Sequence, residues 1–170
     1  SGASNPDTDS LADCIESITA SIDANWLLVA NGVVDTSRLD QNAGIDVEQF
    51  ADTTAPTIAD RPLADLNAAL LHDGLRIHVH AATEKPLGLL IIDAADTAVS
   101  VSQANIEIEV AAGCDAEIIE YQSSSGKNDS YCNSIISMRI GASAHTSYVH
   151  IQDRRIGHTQ TARLTISMGA

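Results

Sequence analysis

Two histidines stand two residues apart where apolar and polar residues alternate. His78 and His80 fall on one side of the strand that this alternation predicts. The other side carries Leu75, Ile77 and Val79. Imidazole pairs at this spacing occur in metal sites, which need a third ligand, and Glu84 is one candidate for it. The more ordinary interpretation is a solvated strand face, which leaves His78 and His80 as weak metal candidates.

The other ligand types are scattered along the second half of the chain. Thiolate and imidazole ligands for iron could come from five residues: Cys114, Cys132, His145, His150 and His158. Cys114 is explained more simply as a small corner residue after Gly113, matching Ala142 one repeat later. Cys132 is expected at a loop edge as the most exposed thiol, and it is the third weak metal candidate. We therefore assign no metal site in this chain.

Composition and charge exclude several classes of function. The formal net charge is −14 at pH 7, which opposes binding to nucleic acids and to anionic membranes. No stretch is long enough to span a bilayer.

The cysteines and the absent motifs bear on location and catalysis. The three cysteines are an odd set without metal-type spacing, which favours free thiols in the cytoplasm. No nucleophile-elbow, zinc-protease, P-loop or dinucleotide motif is present, so the sequence predicts a protein that is not an enzyme.

A repeat organises the C-terminal half, with a period in the range typical of solenoids. Ile108, Ile136 and Leu164 are evenly spaced, and each begins an apolar alternation that ends near Gly113, Gly141 or Gly169. This pattern predicts stacked coils in which those three apolar residues form one ladder. The third repeat stops in mid-coil, so we expect a truncated protein. An uncapped coil exposes apolar residues, which predicts a homodimer through an interface at Leu164, Ile166 and Met168.

The N-terminal part of the sequence carries helix and hairpin signals instead of the repeat. Ser10 and Asp13 form a capping-box pattern before a helix expected near residues 11–23. Asn31-Gly32 between apolar runs predicts a tight hairpin. Pro62 begins a second predicted helix, which ends at Asp73-Gly74.

The predicted organisation is therefore mainly β, with a small α/β region in front of the coils. We divide the chain into residues 1–10, tag-like and disordered, residues 11–74, a helical and hairpin region, and residues 75–170, incomplete β-coils.

Several segments together resemble the SufB/SufD family of iron–sulfur cluster assembly proteins, and SufD more closely than SufB. The resemblance covers roughly residues 26–170 and is distributed over many positions. Its segments are the run from Pro62 to Leu70, Asp73-Gly74, the strand from Leu75 to Val79, the run from Lys85 to Leu90, residues 105–110, 113–121 and 133–144, the run from Tyr148 to Gln152, and His158.

The resemblance implies a right-handed parallel β-helix that acts as a non-catalytic scaffold. Its implied partners are a SufB-like protein and a SufC-like ATPase, and the full assembly handles an iron–sulfur cluster. The family's cluster-linked cysteine and histidine positions and its SufC-contacting helices lie in the C-terminal half, beyond Ala170. No cofactor is therefore expected in this fragment.

Two other functions compete with this one. The first is a secreted carbohydrate-active β-helix enzyme, which would want a signal peptide and sugar-stacking aromatics, and neither is present. The second is a cupin-like β-barrel that binds metal through His78 and His80. The fixed repeat favours a solenoid over a closed barrel.

Overall fold

A computed structural model describes residues 10–40, 43–50 and 62–169. Nearly all of the predicted tag-like segment, residues 1–9, lies outside the described residues. The elements in chain order are α1 (Leu11–Ser21), β1 (Asn25–Ala30), β2 (Val33–Asp35), β3 (Ile45–Phe50), α2 (Pro62–Leu70), β4 (Gly74–Val79), β5 (Leu87–Ala95), β6 (Ser100–Val110), β7 (Asp115–Gly126), β8 (Ser130–Ile140), β9 (His145–Asp153) and β10 (His158–Met168).

The strands form a two-sheet β-solenoid, as the repeat predicts. Sheet A has the order β2-β1-β5-β7-β9, and sheet B has the order β10-β8-β6-β4-β3. From β4 onward the chain alternates between the sheets, and from β5 onward every strand pairs in parallel with an earlier strand of its sheet. The result is about three stacked turns after a small N-terminal α/β region.

The coil length is not constant, and this corrects the predicted ladder. The step from Ser100 of β6 to its partner Ser130 of β8 is longer by two positions than the step from Ser130 to its partner His158 of β10. Ile136 therefore lies between Ile106 and Leu164. Ile108 is on the same face but aligns with Met138. The prediction that Ile108, Ile136 and Leu164 form one ladder is wrong by two positions at its first step.

The corners between the strands explain why the glycine spacing predicted the wrong coil length. Gly113 and Ser143 hold the equivalent left-handed position, with φ of 72° and 58°. The sequence pattern instead matched Gly113 with Gly141, whose amide donates to the Val110 carbonyl at 2.8 Å. Because a serine takes the left-handed conformation in the second corner, the glycine spacing does not report the coil length.

Helix α1 covers the outer face of sheet A, whereas helix α2 packs against sheet B. The capping box of Ser10 and Asp13 begins α1, and Asn31 and Gly32 have the positive φ angles of a tight hairpin turn, so both predictions are confirmed. Ile18 on α1 packs against apolar side chains of β1 and β5. This layer makes β5 buried on both faces along most of its length.

The solenoid interior is aliphatic at one end and polar at the other. Leu75, Ile77 and Val79 of β4 face inward as predicted and are almost fully buried. Leu89 and Ile91 of β5 align with Glu120 and Gln122 of β7, so apolar positions become polar one coil later.

Among the described residues, neither helix has the length and apolar character that a membrane-spanning helix needs.

Candidate functional site

The histidine pair lies on the outer face of sheet B. The ring centroids of His78 and His80 are 5.8 Å apart, and His80 Nε2 is 3.6 Å from Asp46 Oδ2. His78 is flanked in register by Asp46 of β3 and Glu109 of β6. These rings face outward from a solenoid. The cupin alternative needs a closed barrel, whereas the described strands form two separate sheets.

The predicted metal candidates do not come together. Cys132 lies inside the solenoid, on the side of sheet B opposite to the histidine rings. Glu84 lines a pocket of 620 Å³ together with Asp115 and His145, and neither His78 nor His80 contributes to it. Within the part of the chain that the structure describes, no three His, Cys, Asp or Glu side chains form a group that could hold a metal ion.

The expectation that Cys132 is the most exposed thiol is wrong. Cys132 is a strand residue of β8, 0% exposed, aligned between Ser102 and Gln160 of the neighbouring coils. Burial raises the pKa of its thiol to about 12, and the charge of Asp93 acts in the same direction. The thiol therefore stays protonated at neutral pH, and the structure offers no thiolate at this position.

The candidate ligands Cys114 and His150 also lie in separate places. Cys114 is half-buried at a corner, where its amide donates to the Ala111 carbonyl at 3.2 Å. Ala144 makes the equivalent bond in the next coil, so Cys114 corresponds to Ala144 and not to Ala142 as predicted. His150 is exposed on β9.

His158 contacts Ser130 through Nδ1, 2.6 Å from the hydroxyl. Burial lowers the pKa of His158, and the charge of the neighbouring Arg154 lowers it further. The structure therefore favours a neutral imidazole here. A neutral ring suits a hydrogen-bonding role beside Ser130.

A buried polar network is the chemically distinctive feature that the sequence analysis missed. Its centre is an ion pair between Arg154 Nη1 and Asp93 Oδ2, 2.7 Å apart, with side chains 6% and 1% exposed. The Ser102 hydroxyl donates to the other oxygen of Asp93. Arg154 Nε donates to Gln160 Oε1 at 2.5 Å. These residues come from coils on both sides of Cys132.

The network continues across the interior from sheet B to sheet A. Gln160 Nε2 donates to the Ser134 hydroxyl at 3.1 Å. Gln122 Nε2 donates to Glu120, and the Tyr148 hydroxyl donates to the second oxygen of the same carboxylate. Burial, followed by the charge of Glu120, raises the pKa of Tyr148, so this hydroxyl remains a donor. Gln122 Nε2 also lies 3.4 Å from the Ser134 hydroxyl, which joins the two parts. The residues form one continuous polar chain: Ser102, Asp93, Arg154, Gln160, Ser134, Gln122, Glu120 and Tyr148.

The sequence does contain a signal for this network. In β7 the inward positions after Ile118 are Glu120, Gln122 and Ser124, so the strand alternation continues while its apolar character stops. An inward glutamate in a solenoid strand needs buried partners. The partners are distant in sequence, and only the coil register brings them together.

The predicted interface residues are exposed on the last strand. Leu164, Ile166 and Met168 are 42%, 48% and 80% exposed. Their partners in β8, Ile136, Met138 and Ile140, are buried or half-buried. Strand β10 pairs only with β8 among the described strands, so its other edge is open.

No protein-family model matches the chain, and no curated protein matches it significantly.

Proposed function

We propose that this chain is a non-catalytic scaffold component of iron–sulfur cluster assembly of the SufB/SufD type. The observation that carries the proposal is the open edge of β10, which presents backbone groups together with Leu164, Ile166 and Met168. An exposed edge strand with apolar side chains is suited to pairing with a strand of another chain. The family resemblance supplies the identity of the partners: a SufB-like protein and a SufC-like ATPase.

The proposal assigns the chain a structural role in the cytoplasm. The rigid stack of coils holds the β10 edge in a fixed position, which reduces the ordering cost of binding. The iron–sulfur cluster belongs to the full assembly and not to this chain. Without its partners, we propose that the chain forms a homodimer through the same edge, by an isologous contact across a two-fold axis.

Sedimentation velocity of the chain, alone and mixed with SufB-like and SufC-like proteins of the same organism, tests this function. We expect a dimer alone and a mixed complex when the partners are added. The Leu164→Asp, Ile166→Asp double variant should abolish both. Thr165→Asp is the matched control, because Thr165 is exposed between those two residues but faces the other side of the strand. The proposal would be contradicted if the parent chain sediments as a monomer and forms no complex with either partner.

A further inference from the structure

The last coil is held to the solenoid by few buried side chains. We define the terminal coil as residues 145–168, which comprise β9, β10 and the corner between them. No residue of β9 or β10 is fully buried, whereas Cys132, Ile136 and Met138 are among several buried residues of β8. The coil is joined to the rest mainly by backbone pairing with β7 and β8. Such a segment has low local stability unless a specific side-chain contact secures it.

Arg154 provides that contact from the corner of the terminal coil. Its guanidinium reaches across the intervening strand β7 to Asp93 on β5, two coils back. The register places Ser124 beside Asp93, and Ser123 beside Asp153, so the arginine extends over the Ser124 position. The same guanidinium bonds Gln160 on β10. One side chain therefore connects the corner, β10 and the first coil.

The ion pair is desolvated, so each charge depends on the other. Removing one partner from a buried pair leaves an uncompensated charge inside the protein, which is strongly destabilising. Arg154 belongs to the terminal coil and Asp93 to the first coil. The energetic penalty of separating them is therefore a penalty on opening the terminal coil in particular.

We propose that Asp93 and Arg154 form a latch that closes the terminal coil over the polar interior and keeps Cys132 from solvent. Cys132 is covered on one side by Ser102 and on the other by Gln160, the residue that Arg154 bonds. When the latch opens, β10 separates from β8, and the edge of β8 and the thiol become accessible. The latch goes beyond the proposed function, because it concerns an internal motion of this chain.

Thiol alkylation resolved by peptide mass spectrometry tests the latch in the full chain. The variants are Arg154→Met, Asp93→Leu and the two together, with Arg139→Met as control. Arg139 is exposed on β8, so its variant removes the same charge as Arg154→Met without touching the latch. Each single latch variant should speed alkylation of Cys132 by roughly 100-fold or more. In the double variant, which has neither the latch nor a buried unpaired charge, alkylation of Cys132 should be slower than in the single variants but still faster than in Arg139→Met.

Hydrogen exchange distinguishes a local opening from general unfolding. Strand β4 lies between β3 and β6 in sheet B, away from the terminal coil, and β1 lies between β2 and β5 in sheet A. Local opening predicts faster exchange in β9 and β10, with β1 and β4 unchanged. The latch is refuted if Cys132 reacts no faster in the single variants than in Arg139→Met. It is also refuted if β1 and β4 exchange faster together with β9 and β10.

Discussion

Asn67 and Asn133 connect helix α2 to sheet B in both directions. The Asn67 side-chain amide donates to the main-chain carbonyls of Asn133 and Ala104, at 2.8 and 3.0 Å. The Asn133 side chain donates in turn to the main-chain carbonyl of Leu63 in the first turn of α2, at 2.7 Å. The leucines of α2 (Leu63, Leu66 and Leu70) are exposed, so this polar contact positions the helix.

Asn67→Ala should therefore lower the free energy of unfolding by about 2 kcal/mol, because it removes a buried amide that donates to carbonyls on β6 and β8. Urea unfolding measures the change. Asp65→Ala, at an exposed position of the same helix, is the control and should have an effect below about 0.5 kcal/mol. Equal effects of the two variants would mean that α2 is not held by Asn67.

Gly88 is required by the close approach of Trp26. A Cβ at position 88 would lie 2.4 Å from the indole ring. We expect Gly88→Ala to destabilise the protein by about 2–3 kcal/mol through this overlap. A double-mutant cycle with Trp26→Leu checks the cause, since the smaller side chain should recover part of the loss. Strict additivity of the two substitutions would rule out the steric explanation.

Stability should fall at alkaline pH because of two buried groups. Cys132 has its pKa raised from 9.0 to about 12, and the pKa of Tyr148 is also raised, in both cases mainly by burial. A folded-state pKa above the unfolded value gives stability that is fully present below the unfolded pKa and is lost as pH rises above it. For Cys132 the loss begins near pH 9 and reaches roughly 4 kcal/mol by pH 12.

Chemical denaturation between pH 7 and pH 11 measures this loss. Cys132→Ala should flatten the stability profile above pH 9, while Cys114→Ala, at a half-buried corner, is the control and should keep the parent slope. A Cys132→Ala profile as steep as that of the parent would show that ionisation of this thiol is not coupled to unfolding.

Metal content should not depend on the outer histidines. We expect purified protein to contain iron and zinc well below one ion per chain, because Cys132 lies on the opposite side of sheet B from His78 and His80 and cannot complete a metal site with them. Elemental analysis of the parent and of His78→Ala measures this. One ion per chain that disappears in His78→Ala would overturn the expectation and restore the metal-site hypothesis.

Local patterns predicted the elements well, because capping, turn and alternation signals act over a few residues. The capping box at Ser10 and the turn at Asn31-Gly32 are examples, and the inward face of β4 follows from its period of two. The length of each coil was harder. Gly113 and Ser143 hold the equivalent position in successive corners, so a similar backbone turn is built from different residue types, and a search for repeated glycines finds the wrong coil length.

The polar interior could not be assembled from the sequence alone. Glu120 and Tyr148 belong to successive coils, yet Tyr148 aligns with Ile118 and reaches Glu120 across a diagonal. Asp93 and Arg154 are separated by two coils. Their pairing depends on the register of every strand between them, and a one-residue change in register would turn either side chain outward. The burial of Cys132 follows from the same register.

The central claim, that this chain is a binding scaffold, is tested most directly by calorimetric titration of the chain with the SufB-like protein of the same organism. The account predicts a saturable, stoichiometric complex in the micromolar range or tighter, lost in the Leu164→Asp, Ile166→Asp variant and retained in Thr165→Asp. The account would be contradicted if the folded parent chain gave heats no larger than the heat of dilution across the micromolar range.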